Sequence, residues 1–458
     1  MDNQRQNVLD DSRIGWLLLK LTLPAFFGMF VITLYNVVDT IFVGHYVGYL
    51  GIAGLSIVFP IQMLSMGIGM MTGIGGASLI SRLIGAGNRD RAEHALGNAI
   101  TSTVVLSAII MIVGLANPDF WLRLFGASET ILPYARDYMT IILFGIVFQT
   151  VAMALNSLIR AEGNARVPMT GMIIGAVLNI IFCAIFIIPL HMGVKGSALA
   201  AVLGQLVSAV YLMSYYFRGK GFLKIHLRNL VPELNILRDI FAIGIASLAM
   251  TLAGSLSAVF VNRVLVLYGG DYAVSTFGIV NRIMMFAIMP GMTIGQGLQP
   301  ILGFNYGAKR YDRALKAIKL AMAVAIACGF IAFIALYFAP EPFIRVFTTD
   351  DQLIALGSYA AKRLFLTMAL VGFTMVGSLV FQSIGKVTQS FITAISRSFL
   401  FLIPLIFILP HFWQLDGVWW AFPITDALTF ILTLMLLIPQ MKEFKGKDML
   451  TRGAVIEV

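Results

Sequence analysis

Charge is what this sequence has least of. Only 12% of its 458 residues are charged while 59% are hydrophobic, and the mean hydropathy is +0.90. A surface so poor in charge cannot hold a chain of this size in water, so a soluble fold is excluded and the solvent must be lipid. Cysteine is nearly absent as well. The two present, Cys183 and Cys328, lie inside apolar runs, which excludes a disulfide framework and leaves them as small hydrophobes. The five histidines, His45, His94, His191, His226 and His411, fall at expected helix ends or loops and never at metal-ligand spacing. No phosphate-binding glycine loop and no cluster of nucleophile and base is found, so neither a metal site nor an enzyme is expected. Met1 to Arg13 is polar, with charges of both signs, and no small-residue cleavage site follows a short apolar core there. A removable signal peptide is therefore not expected, and the first helix acts as its own signal.

What is present is a series of apolar runs. Six lie near residues 17–46, 51–81, 93–115, 134–159, 167–190 and 196–217, and six more near 237–267, 272–302, 312–338, 353–382, 389–409 and 417–439. About 20 apolar residues suffice to cross a bilayer as a helix, so an all-α membrane protein of twelve transmembrane helices is expected. The organisation read from the runs is a six-helix bundle over 1–217, a linker over 218–236, a second bundle over 237–441 and a tail over 442–458. The formal charge of +10 does not form a nucleic-acid stripe. Its basic residues flank the runs on one side, at Arg82, Arg89, Arg91, Arg160, Arg166, Arg218, Lys220, Lys224, Arg228, Lys309, Arg310, Arg313 and Lys386. The opposite loops hold mainly Asp119, Glu129, Asp271, Glu341, Asp350, Asp351 and Asp416, so both termini are expected in the cytoplasm.

The two sets of six repeat each other at an offset of 222 residues. Gly69 falls on Gly291, Gly73 on Gly295, Gly75 on Gly297, Gly85 on Gly307, Asp90 on Asp312, Arg91 on Arg313 and Gly163 on Gly385. Because each set has an even number of helices, the repeat is parallel, with its pseudo-twofold along the membrane normal. The shared Gly-x-x-x-Gly spacing marks small-residue faces for close helix packing in lipid.

Ionisable residues inside such runs cost on the order of 2.5 to 3.5 kcal/mol each, so each demands an explanation. Five qualify: Asp39, Arg263, Arg282, Arg397 and Asp426. Asp39 lies in Tyr35-Asn36-Val37-Val38-Asp39-Thr40, roughly 8 to 10 Å below the outer end of helix 1, with Tyr35 on the same face. Burial moves a carboxyl towards neutral pH, which lets it take a proton from one side and release it on the other. The plainer reading is an aspartate satisfied by neighbouring helices. Asp426 and Arg282 both sit roughly 14 to 15 Å below the outer side and are expected to pair, as a structural ion pair or a second proton or substrate site. Arg263 and Arg397 are expected to be structural. The 34 Phe, 14 Tyr and 24 Met tilt a cavity slightly towards bulky cations.

At this point the residues resemble a known family. Leu23-Pro24-Ala25 followed by Tyr35 to Gly44, then Ser81-Arg82-Leu83-Ile84-Gly85-Ala86-Gly87 with its echo Asn305-Tyr306-Gly307-Ala308, and Ile159-Arg160-Ala161-Glu162-Gly163-Asn164, are similar to signatures of the multidrug and toxic compound extrusion (MATE) family. The pattern looks closest to its bacterial MepA-like and DinF-like branch. The resemblance implies two six-helix bundles in a V, alternating access, and export of organic cations or drugs coupled to inward protons or sodium. It implies that Asp39 is the cation-coupling carboxylate, that Tyr35, Asn36 and Asn179 share its site, and that Tyr138 and Asn156 face the cavity. It also implies that Pro24 is a hinge, which fits the hydrogen bond that proline removes.

This chain departs from many relatives at Cys183, where they carry a second carboxylate, and at Ala201, where they carry a threonine. A thiol and a methyl leave too few hard oxygens for sodium, which favours protons. Asn262 and Arg263, and the acid-free stretch Ser378 to Ser383, lack the carboxylates of another branch. No cofactor is expected beyond the coupling ion. The expected setting is a monomer, multi-pass in the bacterial cytoplasmic (inner) membrane, with small molecules and lipid as partners and no nucleic acid. The rival functions are a lipid-linked saccharide flippase and an exporter of an endogenous metabolite.

Overall fold

The computed structural model describes residues 8–47 and 49–456, with side chains throughout except at 36, 37, 39–41, 44, 49, 52 and 450–456. Among the described residues there is no strand, and the helices follow the apolar runs. The first half holds α1 (Ile14–Tyr46), α2 (Tyr49–Gly85), α3 (Arg89–Ala116), α4 (Leu132–Ala161), α5 (Arg166–Ile187) and α6 (Gly193–Phe217). The stretch Leu234–Gly307 is helical over 74 residues except at Gly270, whose φ of 62° and ψ of −161° break it. Straight, it would run about 110 Å, several bilayer cores, so it is two helices, α7 (234–269) and α8 (271–307).

After α9 (Tyr311–Phe338), α10 is a bent pair, Asp351–Leu364 and Met368–Ile384, turned by 53° at its break. The helical stretch that begins at Val387 passes through a π-helical segment, Ser396–Leu402, and breaks at Gln414 (φ 49°, ψ −131°), giving α11 (387–413) and α12 (415–456). Nine helices among the described residues are long and apolar enough to cross a membrane, ten with the bent pair. Two of these are folded at Gly270 and Gln414, so the spans number twelve.

By contacts the chain divides into two units, Met1–Asp11 with Leu23–Thr251, and Ser12–Thr22 with Leu252–Val458. The sequence boundary at 237 placed nearly all of α7 in the second half, whereas the contacts keep its first part, to Thr251, with the first unit. The opening segments of α1 and α7 are thus each assigned away from the rest of their own helix.

Side-chain packing follows the 222-residue repeat. Gly69 of α2 approaches Thr150 and Met153 of α4, and Gly291 of α8 approaches Gly372 and Met375 of α10, each partner displaced by the same offset. Gly75 and Gly297 are the tightest instance. A Cβ on Gly75 would stand 2.1 Å from the Ile240 carbonyl oxygen and 3.2 Å from the Gly244 nitrogen. On Gly297 it would stand 2.4 Å from Oγ1 and 3.0 Å from the nitrogen of Thr22, the repeat mate of Gly244. Only glycine fits where backbones come this close.

Each unit has its own apolar core. Val58, Met139, Leu143, Ile146 and Cys183 lie in the first, and Phe365, Trp419, Phe422 and Leu336 in the second. The segment joining α6 to α7 is bonded to the first unit rather than hanging free. Asn98 Nδ2 donates to the Asn229 and Val231 carbonyls (3.2 Å each), Thr101 Oγ1 donates to Leu230 O (2.9 Å), and Lys224 N donates to Glu93 Oε1 (3.1 Å). Polar side chains of α3 thereby take up backbone groups that a loop would otherwise leave to water.

Candidate functional site

α1 runs unbroken from Ile14 to Tyr46 with Pro24 inside it, and from Leu23 onward it belongs to the first unit. Proline has no N–H, so the Lys20 carbonyl loses its in-helix donor and the ladder is weakest there. Tyr35 is half-buried. The side chains of Asn36 and Asp39 lie outside the described residues, although their backbone is helical and fixes their register. That register is set by Gly28, where a Cβ would stand 2.6 Å from Met172 Sδ and 3.5 Å from Met169 Cα of α5. Both helices leave the same end of the unit. Counting equally from Gly28 and Met172 brings Tyr35 level with Asn179, and Asp39 level with Cys183.

Asn179 is the most unusual side chain at this level. It is 3% exposed, and neither its Oδ1 nor its Nδ2 has a hydrogen-bond partner among the described residues. It stands where α5 and α6 nearly touch: a Cβ on Gly204 would be 2.7 Å from the Gly175 carbonyl oxygen and 3.3 Å from the Asn179 Cβ, and Ser208 Oγ donates to Gly171 O at 2.9 Å. Leaving a buried polar group unpaired costs about 1–3 kcal/mol, so the fold tolerates a deficit here that a bound group or water would cancel. Cys183, one turn further along α5, is fully buried in the apolar core.

Tyr138 and Asn156, both on α4, do not share one place. Eighteen residues separate them, about 27 Å along a helix. Tyr138 is buried and its hydroxyl accepts from Gln62 Nε2 at 3.3 Å, whereas Asn156 is buried at the other end of α4, its Oδ1 without a partner among the described residues. Of the two, Tyr138 is the one nearer the α1 positions, since α4 and α1 run antiparallel.

In the second unit the structure corrects one pairing. Arg282 was expected to meet Asp426, but Arg282 is exposed, and Asp426 is bonded to Arg397 instead, Nε to Oδ1 at 2.7 Å. Thr367 Oγ1 donates to the other carboxylate oxygen at 3.0 Å. The two arginines occur at similar depths in the sequence, and depth alone does not say which helix neighbours α12. Arg263 is likewise exposed.

Glu162, named in the sequence only as part of a family signature, was given no role there. It follows the last turn of α4, is 6% exposed, and its Oε2 accepts from Phe222 N at 2.9 Å and from the Tyr215 hydroxyl at 3.4 Å. Burial pushes this carboxyl up to about 7, and the hydrogen bond from Phe222 offsets only part of that. Its neighbour Gly163, at φ 87°, turns the chain back so that the glutamate points inward. An acid beside a glycine that ends a helix was the available signal.

Twelve spans in two repeated sets of six, with breaks and buried polar groups inside the bundles, define a polytopic membrane protein of the secondary-transporter class. Comparison with known proteins narrows this. The MatE family model matches residues 24–185 and 242–408, once in each half of the repeat, and the chain belongs to the MATE family of multidrug efflux transporters. It is 26% identical over 440 residues to the multidrug export protein MepA of Staphylococcus haemolyticus, covering 95% of this chain and 96% of that one. Among solved structures it resembles the MATE multidrug transporter DinF-BH in complex with rhodamine 6G (41% identity, TM-score 0.88, 95% and 97% of the two chains). It also resembles a transporter of the MOP superfamily from Pyrococcus furiosus (27% identity, TM-score 0.89, 94% and 96%).

Proposed function

We propose that the protein is an efflux antiporter that exports organic cations or amphipathic compounds in exchange for inward protons, by alternating access of its two six-helix units. The observation that carries this reading is the buried amide of Asn179, without a hydrogen-bond partner among the described residues, level with Tyr35 on α1 and one turn from the register shared by Asp39 and Cys183. Asp39 ionised facing inward favours a cationic substrate. Protonated from outside, it releases that substrate, so the two cations compete for one charge. Asn179 supplies a donor and an acceptor whichever form the carboxyl takes.

Cys183 at the Asp39 level supports protons over sodium, since a buried thiol in an apolar core is a poor ligand for a hard cation. The driving force is sufficient. One pH unit gives about 1.4 kcal/mol per proton, and 100 mV adds about 2.3 kcal/mol per net charge moved. The basic flanks support a bacterial inner-membrane protein with both termini in the cytoplasm, working as a monomer in this reading.

The test is efflux of rhodamine 6G from proteoliposomes under an imposed pH or sodium gradient, with wild type and Asp39→Asn side by side. Efflux driven by the pH gradient alone and abolished in the variant is the expected result. A strict sodium requirement would sink the proton assignment, and pH-driven efflux surviving in Asp39→Asn would sink the role of that carboxyl.

A further inference from the structure

The second unit holds a charged group that the coupling scheme does not use. Arg397 lies ten residues into α11 and Asp426 twelve residues beyond the Gln414 break, about 15 and 18 Å along their helices. With a hydrocarbon core about 30 Å thick, both stand near the midplane, out of reach of lipid headgroups. The Asp426 side chain is 2% exposed and that of Arg397 24%. Both oxygens of Asp426 are occupied, Oδ1 by Arg397 Nε and Oδ2 by Thr367 Oγ1. Each oxygen thus already accepts a hydrogen bond, and the charge of the carboxylate is met by the guanidinium.

The guanidinium is in the opposite condition. Only its Nε is engaged; Nη1 and Nη2 meet no acceptor among the described residues and remain on the accessible surface. A purely structural arginine in a bundle is expected to lie side-on to its carboxylate, with two parallel hydrogen bonds and its charge enclosed. Here a single hydrogen bond, from Nε, meets Asp426. An open fork at this depth costs several kcal/mol unless water or an anion meets it.

The backbone around the pair is irregular in two places. Thr367 sits in the break of α10, at the 53° bend. Arg397 sits in the π-helical segment Ser396–Leu402, and Ser257 Oγ of α7 donates to the Ser398 carbonyl at 2.8 Å, tying that segment to α7. Broken and π-helical turns at membrane depth recur where helices build ligand sites.

We propose that the Nη1 and Nη2 fork of Arg397 is an anion subsite within the second unit. It takes the carboxylate or sulfonate of a zwitterionic amphiphile, while Asp426 and Thr367 hold the Nε end and set the direction of the fork. This rests on the proposed export of organic cations, and widens the substrate class to molecules carrying an acid as well. Pairing with Asp426 leaves the site nearly neutral, so an anionic group is oriented without being trapped, as transport requires.

Two dyes with one ring system separate the ideas: rhodamine 6G, an ethyl ester and a cation, and rhodamine 19, its free acid and a zwitterion. Binding of each to the purified full-length protein is read by fluorescence polarisation. The double variant Arg397→Gln with Asp426→Asn removes both charges and leaves no orphan, so the fold is kept. Arg397→Lys keeps a charge opposite Asp426 but has no fork. Both are expected to weaken rhodamine 19 at least tenfold more than rhodamine 6G. An unchanged ratio of the two affinities in both variants overturns the proposal. Wild type that binds rhodamine 6G but not rhodamine 19 overturns it while leaving the proposed function standing, and wild type that binds neither overturns both.

Discussion

Glu162 makes the fold pH-dependent in a direction opposite to that of most carboxylates. Its ordinary value is 4.5, and burial at the end of α4 raises it to about 7. A carboxyl raised in the folded state binds its proton more tightly there than in the unfolded chain. Stability is therefore greatest below about 4.5 and falls as pH rises towards 7, above which the whole penalty is present. At about 1.36 kcal/mol per pH unit the loss is about 3 kcal/mol, an order-of-magnitude figure. Glu162→Gln keeps an amide oxygen to accept from Phe222 N and removes the charge. The variant is thus expected to match wild type at pH 4.5 and to exceed it at pH 8 by up to about 3 kcal/mol. The assay is loss of helical circular dichroism on heating in detergent, read across this pH range. Melting curves of variant and wild type that run parallel at every pH, or a variant less stable at pH 8, would refute the reasoning.

The other expectations concern packing and the first-unit site. Asn179→Leu removes, at similar volume, two buried polar atoms that have no partner among the described residues, so thermal stability should hold or rise by about 1–2 kcal/mol while rhodamine 6G efflux falls; a loss of stability would mean the amide is structural. Gly75→Ala forces a Cβ to within 2.1 Å of the Ile240 carbonyl oxygen and should cost about 1–3 kcal/mol by thermal unfolding, whereas Gly278→Ala, with nothing within 4 Å, should cost nothing. Equal effects at the two glycines would contradict the close approach of α2 and α7.

How much of this was legible beforehand differs between the fold and the site. The solvent, the helix count and the repeat all came from one-dimensional properties. Apolar runs of 20 or more residues state that they cross a membrane whatever packs beside them. A glycine spaced four from another states a close-packed face before its partner is known. The offset of 222 carried further than glycine matching, because Gly69 and Gly291, or Gly75 and Gly297, meet partners displaced by that same number.

What only the tertiary structure decided is which side chains meet. Arg282 and Arg397 lie at similar depth, and the choice of Arg397 for Asp426 depends on which helix adjoins α12 and on a π-helical turn that no hydropathy pattern records. The burial of Asn179 with no partner among the described residues, and the burial of Glu162 beneath Phe222, sixty residues later, are likewise products of packing. Hydropathy is a property of each residue and its near neighbours, so the sequence by itself determined where the chain is buried in lipid. A hydrogen bond or an open guanidinium depends on distance and direction between segments far apart in the chain, and those exist only once the helices have packed.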